Sequence, residues 1–168
     1  MIRFIIPLNA FDNTQRFDVA GLKTNPLHRT LTPLFIDHIN VPRINFDGLL
    51  TYTINEDRKS DGFLQLYRSG IIESVDAKSI AFQEKHNRAK IISSLTFEVR
   101  LINSLRKYLR VLESLAVDRP LAVMLSLLDV QRHAMGMKDA FGFFNSGEPF
   151  DRDVLMSHEI LIEIYLSP

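Results

Sequence analysis

The sequence contains no cysteine, which excludes disulfide bonds, thiolate nucleophiles and thiolate zinc sites and is typical of a reducing compartment. It also has no apolar run near the roughly 18–20 residues that a membrane-spanning helix needs. The apolar stretch at its beginning is too short for a signal peptide. We therefore expect a cytoplasmic protein without a membrane partner.

No excess of charge of either sign is present, because 20 Lys and Arg residues balance 20 Asp and Glu residues. Proteins that bind nucleic acid usually carry a basic excess, so nucleic acid is not the favoured partner. Glycine-rich nucleotide motifs and a nucleophile elbow are missing, and the 5 histidines lack the spacing of zinc ligands. The sequence predicts neither a cofactor nor a metal.

What is present is a chain of 168 residues, 46% of them hydrophobic, which suits one globular domain. The apolar patterns predict strands at 3–8, 49–54, 63–68, 71–76, 121–128 and 159–166, a long helix at 87–115 and a short helix beginning at Thr32 and Pro33. The expected fold is α/β, of the α+β type, with a mixed β-sheet in a single domain over residues 1–168. Because predicted strands lie close to both ends, we expect the domain to be excised from a longer chain.

Three of these elements have patterns that predict how they are buried. The long helix carries one apolar stripe, made of Ile92, Leu95, Val99, Ile102, Leu105, Leu109 and Leu112. The nearly continuous apolar run at 121–128 predicts a central strand buried on both faces. The alternating pattern at 159–166 predicts an edge strand with Ile160 and Ile162 facing inward.

The strands at 63–68 and 71–76 form a predicted hairpin around Ser69 and Gly70. A two-residue turn would place Asp61 opposite Lys78 and Leu66 opposite Glu73. Asp61, Asp76 and Lys78 resemble the pattern of restriction-type nucleases, in which two carboxylates hold Mg²⁺ and a lysine stabilises the attacking water. The competing interpretation is an ordinary cross-strand charge pair.

Two further regions are candidates for contact with a partner. Residues 131–150 read as a long apolar loop that contains Met135, Met137, Phe141, Phe143 and Phe144. Such a loop could be a lid, a ligand wall or a subunit interface, and a short helix packed on the core is the alternative. On the hairpin, the candidates are Tyr67, Arg68 and Glu73.

The long helix is basic outside its apolar stripe, through Arg100, Arg106, Lys107 and Arg110. Phosphate binding and a simple solvated helix face both account for this pattern.

The segment 63–75, with Tyr67, Arg68, Gly70 and Glu73, follows a Phe46-Asp47-Gly48-Leu49 stretch and precedes the long helix. This layout resembles the C-terminal region of bacterial DNA-binding proteins that carry an N-terminal Schlafen AlbA-type domain. The resemblance implies that the nucleic-acid-linked chemistry belongs to that N-terminal domain, and it transfers no catalytic residue to this chain.

Three functions follow as hypotheses. The first is a non-catalytic accessory domain of a larger bacterial protein, which contacts itself or a neighbouring domain. The second is a Mg²⁺-dependent nucleic-acid-processing enzyme that uses Asp61, Asp76 and Lys78. The third is a small-molecule sensor with the segment 131–150 as its lid.

Overall fold

The computed structural model describes residues 1–12, 16–34, 36, 42–54, 56–77, 81–83, 90–138 and 144–163. Within these residues the strands are β1 (Ile2–Pro7), β2 (Arg43–Ile44), β3 (Gly48–Tyr52), β4 (Gly62–Tyr67), β5 (Ile72–Asp76), β6 (Ala81–Gln83), β7 (Lys90–Ser93), β8 (Leu121–Leu128), β9 (His133–Lys138), β10 (Phe144–Ser146), β11 (Val154–Met156) and β12 (Ile160–Ile162). The helices are α1 (Ser94–Ser114) and two short 3-10 helices, Gly21–Lys23 and Pro26–Thr30.

The strands form two sheets. The large sheet has the order β11-β8-β1-β5-β4-β3-β2, with β12 also paired to β8, and all of its pairs are antiparallel. The small sheet has the order β10-β9-β7-β6, and its β7–β9 pair is parallel. The chain is therefore a single α+β domain with mixed sheets and one long helix, as the sequence predicts.

Both ends of α1 are closed by local hydrogen bonds. At the start, the Ser93 hydroxyl accepts a hydrogen bond from the backbone N–H of Thr96 over 3.4 Å. At the end, Ala116 takes a left-handed conformation with φ of 54°, and the N–H of Val117 bonds to the carbonyl of Leu112 over 3.0 Å. This pattern, a Schellman motif, satisfies carbonyls that the last turn would otherwise leave unpaired.

The main hydrophobic core lies between one face of the large sheet and the C-terminal half of α1. It joins Ile5, Leu64 and Leu121 of the sheet to Tyr108 and Leu112 of the helix. A smaller cluster, around Leu34, Ile92, Phe97, Leu127 and Val130, packs the start of α1 against the small sheet. One face of the large sheet thus packs against the interior of the domain.

The predicted apolar stripe of the helix is wrong in its first half. Leu95, Val99 and Ile102 are 67%, 47% and 49% exposed, while Phe97 and Ser104 are buried. The predicted stripe recurs more often than every 3.6 residues, so it winds around a straight helix and leaves the buried side. The helix also begins later than expected, because 90–93 form strand β7.

The position predicted for the short helix is also wrong where the structure describes it. Thr32, Pro33, Leu34 and Ile36 are not helical, and the short helical turns lie earlier in the chain. The rest of the predicted helix lies outside the described residues. The segment 31–34 instead runs as a buried strap over the core face of the sheet, and its hydrogen bonds are described below.

The hairpin of β4 and β5 is confirmed, but its predicted register is wrong by one residue. The loop has three residues, 68–70, and Gly70 closes it with φ of 84°, a conformation that glycine adopts without strain. The extra loop residue places Gln65, not Leu66, opposite Glu73. A one-residue shift sends every side chain of a strand to the other face.

In its described parts, the segment 131–150 is mostly strand instead of the predicted loop, with irregular structure at 131–132 and 147–150 and no helix. It contains strands β9 and β10, which pair antiparallel, with Asn145 opposite Met137. Strand β12 lies at the edge beside β8, as predicted, although Ile160 is 58% exposed instead of facing inward. In the part of the chain that the structure describes, no helix is both long enough and apolar enough to cross a membrane.

Candidate functional site

The large sheet has two faces with different surroundings. Side chains alternate between them along each strand. Arg3 and Ile5 of β1 point to the face that packs against α1, where Arg3 Nη1 donates to Ser104 Oγ over 2.8 Å. Phe4 points the other way, and so do its cross-strand partners Glu73 and Met124. We call this second side the open face.

The open face is mostly apolar. Its members on the six adjacent strands β3, β4, β5, β1, β8 and β11 follow from the strand register and are Ile2, Phe4, Ile6, Leu50, Tyr52, Phe63, Gln65, Tyr67, Glu73, Val75, Ala122, Met124, Ser126, Leu128, Val154 and Met156. Arg43 of β2 and Leu161 of β12 lie on the same side. None of them belongs to either hydrophobic core. Met124, Leu128 and Met156 are 37%, 42% and 78% exposed. An antiparallel sheet that faces water usually carries polar side chains on that side, so this composition is typical of a contact surface.

The sequence of strand β8 also indicates an apolar surface on both sides of the sheet. Its apolar run predicts burial on both faces, yet the structure buries Leu121, Val123 and Leu127 and leaves Met124 and Leu128 exposed. The prediction is therefore wrong for the isolated chain. The run would be accounted for if a second molecule or domain covered the open face.

The polar groups on the open face are largely paired with one another. Tyr67 donates a hydrogen bond through its hydroxyl to Glu73 Oε2 over 2.7 Å. Burial, followed by this bond to the Glu73 carboxylate, raises the pKa of Tyr67 to about 12. Gln65 exchanges side-chain hydrogen bonds with Asn45. Two of the hairpin candidates, Tyr67 and Glu73, thus lie together on the open face, with the carboxylate engaged.

The third hairpin candidate, Arg68, lies in the turn and joins two loops. Its backbone N–H donates to the carbonyl of Asp47 over 2.9 Å, and its Nε donates to the carbonyl of Phe46 over 3.3 Å. Phe46 itself is 94% exposed. Gly48 makes this packing possible, because a Cβ there would lie 2.0 Å from the carbonyl oxygen of Leu66. The two segments that carry the sequence resemblance are therefore neighbours in the fold.

The apolar candidates of the segment 131–150 do not form one cluster in the described residues. Met135 packs against the smaller core, whereas Met137 is 65% exposed on β9. Phe144 begins strand β10, and Phe141 and Phe143 lie outside the described residues. This segment contributes to the small sheet rather than to the open face.

The structure describes the two carboxylates of the nuclease-like pattern but not its lysine. Asp61 lies beside Ala77, whose N–H donates to its carbonyl over 2.8 Å, and Lys78 lies outside the described residues. Asp76 is buried, and its Oδ2 accepts a hydrogen bond from the N–H of Leu34 over 3.1 Å. Among the described residues, no three His, Asp or Glu side chains come close enough to hold a metal ion. These contacts give Asp76 a structural role.

Asp76 is one of three side chains that hold the strap at 31–34. Thr51 donates through Oγ1 to the carbonyl of Leu31 over 2.6 Å, and the Tyr108 hydroxyl donates to the carbonyl of Thr32. All three side chains are buried. Sequence reasoning missed this arrangement because its partners are distant in the chain. The signal that could have found it is a buried threonine and tyrosine at core positions, which need hydrogen-bond partners.

Beneath the strap, Arg3 is almost fully buried, at 1% exposure. Its guanidinium lies over the ring of Tyr108, 5.4 Å from the centroid, and its only hydrogen bond within the described chain goes to Ser104. Nε and Nη2 have no partner there. Burial lowers the pKa of Arg3, and the neighbouring Tyr108 and Asp76 oppose that shift.

A comparison of the chain with protein-family models, curated proteins and solved structures finds no match. The resemblance to Schlafen AlbA-associated proteins therefore stays a prediction.

Proposed function

We propose that this chain is a non-catalytic accessory domain of a larger bacterial protein of the cytoplasm, and that its open face binds a second copy of the same chain. The observation that carries the proposal is the apolar side of the large sheet that neither hydrophobic core of the described residues covers, above all Phe4, Met124, Leu128 and Met156. Burial of such side chains stabilises an interface by roughly 25 cal/mol per Å² of apolar surface.

The size of the open face fits a pair of copies. It crosses β3, β4, β5, β1, β8 and β11, which are six adjacent strands. At about 4.8 Å per strand and about 17 Å of length, the footprint is about 500 Å² per copy, or about 1,000 Å² in total. Specific interfaces begin at about this total, about 1,000 Å².

The charge pattern also permits the same surface to meet itself. The chain has no net charge, so two copies do not repel each other over long range. Glu73 is bonded to Tyr67, and Arg43 stacks over the ring of Tyr52 at 5.2 Å, which leaves few unsatisfied charges to desolvate. A two-fold pair requires only one self-complementary patch, and such pairs are the commonest oligomers.

Sedimentation equilibrium over a range of concentrations tests the proposal. We expect the wild-type chain to form a dimer, and we expect Met124→Lys to weaken the dimer by at least about tenfold in Kd, because it would bury a charge in an apolar interface. Leu95→Lys is the matched control, since it places the same charge on an exposed apolar residue of α1, away from the sheet. It should leave the dimer intact.

Two results would contradict the proposal. A wild-type chain that stays monomeric at high concentration would exclude the second copy and favour a neighbouring domain as the occupant of the open face. Equal weakening by Met124→Lys and Leu95→Lys would show that the interface lies elsewhere. Circular dichroism of both variants establishes that they remain folded.

A further inference from the structure

A second feature of the chain, separate from the open face, is a basic cavity on the other side of the sheet. It has a volume of about 250 Å³ and lies between α1 and the strap. Arg29, Arg100 and Lys107 line it, together with the polar side chains of Thr32 and Asn103. No acidic residue is among the described residues that line it.

The helix places its share of these groups by simple periodicity. Arg100, Asn103 and Lys107 are separated by three and four residues, so they lie along one side of α1. Arg29 approaches from the 3-10 helix Pro26–Thr30 on the opposite wall. Arg29 and Lys107 form no ion pair with any residue that the structure describes. Two cations on facing walls, with no acidic partner among the described residues, repel one another unless an anion joins them.

The wall of the cavity is backed by another positive charge. Ser104 lines the cavity, and its hydroxyl accepts the hydrogen bond from the buried Arg3. Two of the guanidinium nitrogens of Arg3 have no hydrogen-bond partner among the described residues. Arginine keeps its charge in proteins, so the field of this cation reaches the cavity through a poorly solvated interior. Asp76 offsets part of this field, and its carboxylate accepts a hydrogen bond from the N–H of Leu34, which also lines the cavity.

We propose that this cavity binds the phosphate group of a small phosphorylated molecule. Guanidinium groups bind phosphate oxygens through paired hydrogen bonds, and a lysine adds a point charge. The hydroxyl of Thr32 and the amide of Asn103 supply neutral donors on the two walls. A multiply charged oxyanion matches the unpaired Arg29 and Lys107 better than a single carboxylate does.

The dimensions favour a small ligand over a nucleic acid. Cavities for small molecules measure about 300–1,000 Å³, and this one, at about 250 Å³, lies just below that range, enough for a phosphate or pyrophosphate group with little else. Nucleic acid requires a basic track that follows several phosphates, and the chain has no net positive charge. In this proposal, basic residues of the long helix therefore bind a small phosphorylated ligand and not a nucleic acid.

Isothermal titration calorimetry with pyrophosphate, and with inorganic phosphate as the second probe, tests the proposal. Sodium chloride at equal ionic strength is the reference, and thermal unfolding in the same solutions measures ligand stabilisation. We expect saturable binding of pyrophosphate to the wild-type chain. Lys107→Gln should weaken it by at least about tenfold, because one of three charges is lost.

Arg110→Gln is the matched control, since Arg110 is exposed on the same helix and does not line the cavity. It should leave the affinity unchanged. The proposal is overturned if pyrophosphate stabilises the chain no more than chloride does, or if Lys107→Gln and Arg110→Gln weaken binding equally. It is also overturned if a single-stranded oligonucleotide binds more tightly than pyrophosphate and both variants reduce that binding, because the basic helix would then be a nucleic-acid surface.

Discussion

Replacing Tyr108 with phenylalanine should lower the free energy of unfolding at neutral pH and make the protein less sensitive to alkaline pH. The hydroxyl of Tyr108 donates to the carbonyl of Thr32 and lies 3.4 Å from Ser74 Oγ. The variant leaves a carbonyl of the strap without its donor, and an unpaired buried group costs about 1–3 kcal/mol. At neutral pH we therefore expect a loss within that range.

The alkaline effect follows from the pKa of the same group. Burial raises the pKa of Tyr108 to about 12, partly opposed by Arg3 and by the hydrogen bond with Ser74. In the unfolded chain the pKa of a tyrosine is about 10. The stability that the protonated hydroxyl of Tyr108 adds to the folded state is therefore fully present below pH 10, and it is lost as the pH rises through 12. The total is on the order of 3 kcal/mol, of which roughly half is lost by pH 11.

Urea unfolding of the wild type and of Tyr108→Phe at pH 9, about 10 and about 11 measures this difference, since other groups titrate equally in both proteins. Tyr67→Phe is the control. The pKa of Tyr67 is also raised to about 12, but that side chain is half-buried on the open face, where solvent screens the effect. If Tyr108→Phe loses as much stability as the wild type between pH 9 and 11, the burial of the Tyr108 hydroxyl is not the cause of the alkaline loss of stability.

Two substitutions test the local hydrogen bonding of the fold. Ala116→Gly should raise the free energy of unfolding by about 1 kcal/mol, because the left-handed conformation after α1 strains alanine and not glycine; a lower midpoint in urea would contradict the helix ending described above. Thr51→Val should lower it by about 1–3 kcal/mol, since the carbonyl of Leu31 loses its donor. Thr51→Ser keeps the hydroxyl and should lose less, and equal losses in the two variants would show that the hydrogen bond contributes nothing.

The sequence predicts much of the secondary structure because that information is local. Strands β1, β3, β4, β5 and β8 and most of α1 follow from apolar patterns that a window of about ten residues contains. The turn at Gly70 also follows, because few other residues accept its backbone conformation. These elements establish the α+β class without knowledge of the tertiary structure.

The register and the burial of these elements could not be predicted in the same way. The hairpin register depends on one additional loop residue, and it decides that Gln65 and not Leu66 lies opposite Glu73. The apolar pattern of α1 likewise places Leu95 and not Phe97 in the predicted stripe, yet Phe97 is buried and Leu95 is exposed. Which side of an element is covered depends on what packs against it, and that is a property of the whole chain.

The sequence by itself determined the kinds of residue present: no cysteine, no net charge, an apolar β8 and a basic α1. Only the tertiary structure decided where they act. Pairing across the large sheet gathers the outward side chains of six strands into one open face. Packing of α1 under the strap brings Arg29, Arg100 and Lys107 around one cavity. Both sites join residues far apart in the chain, and such contacts form through side-chain packing that no local pattern encodes.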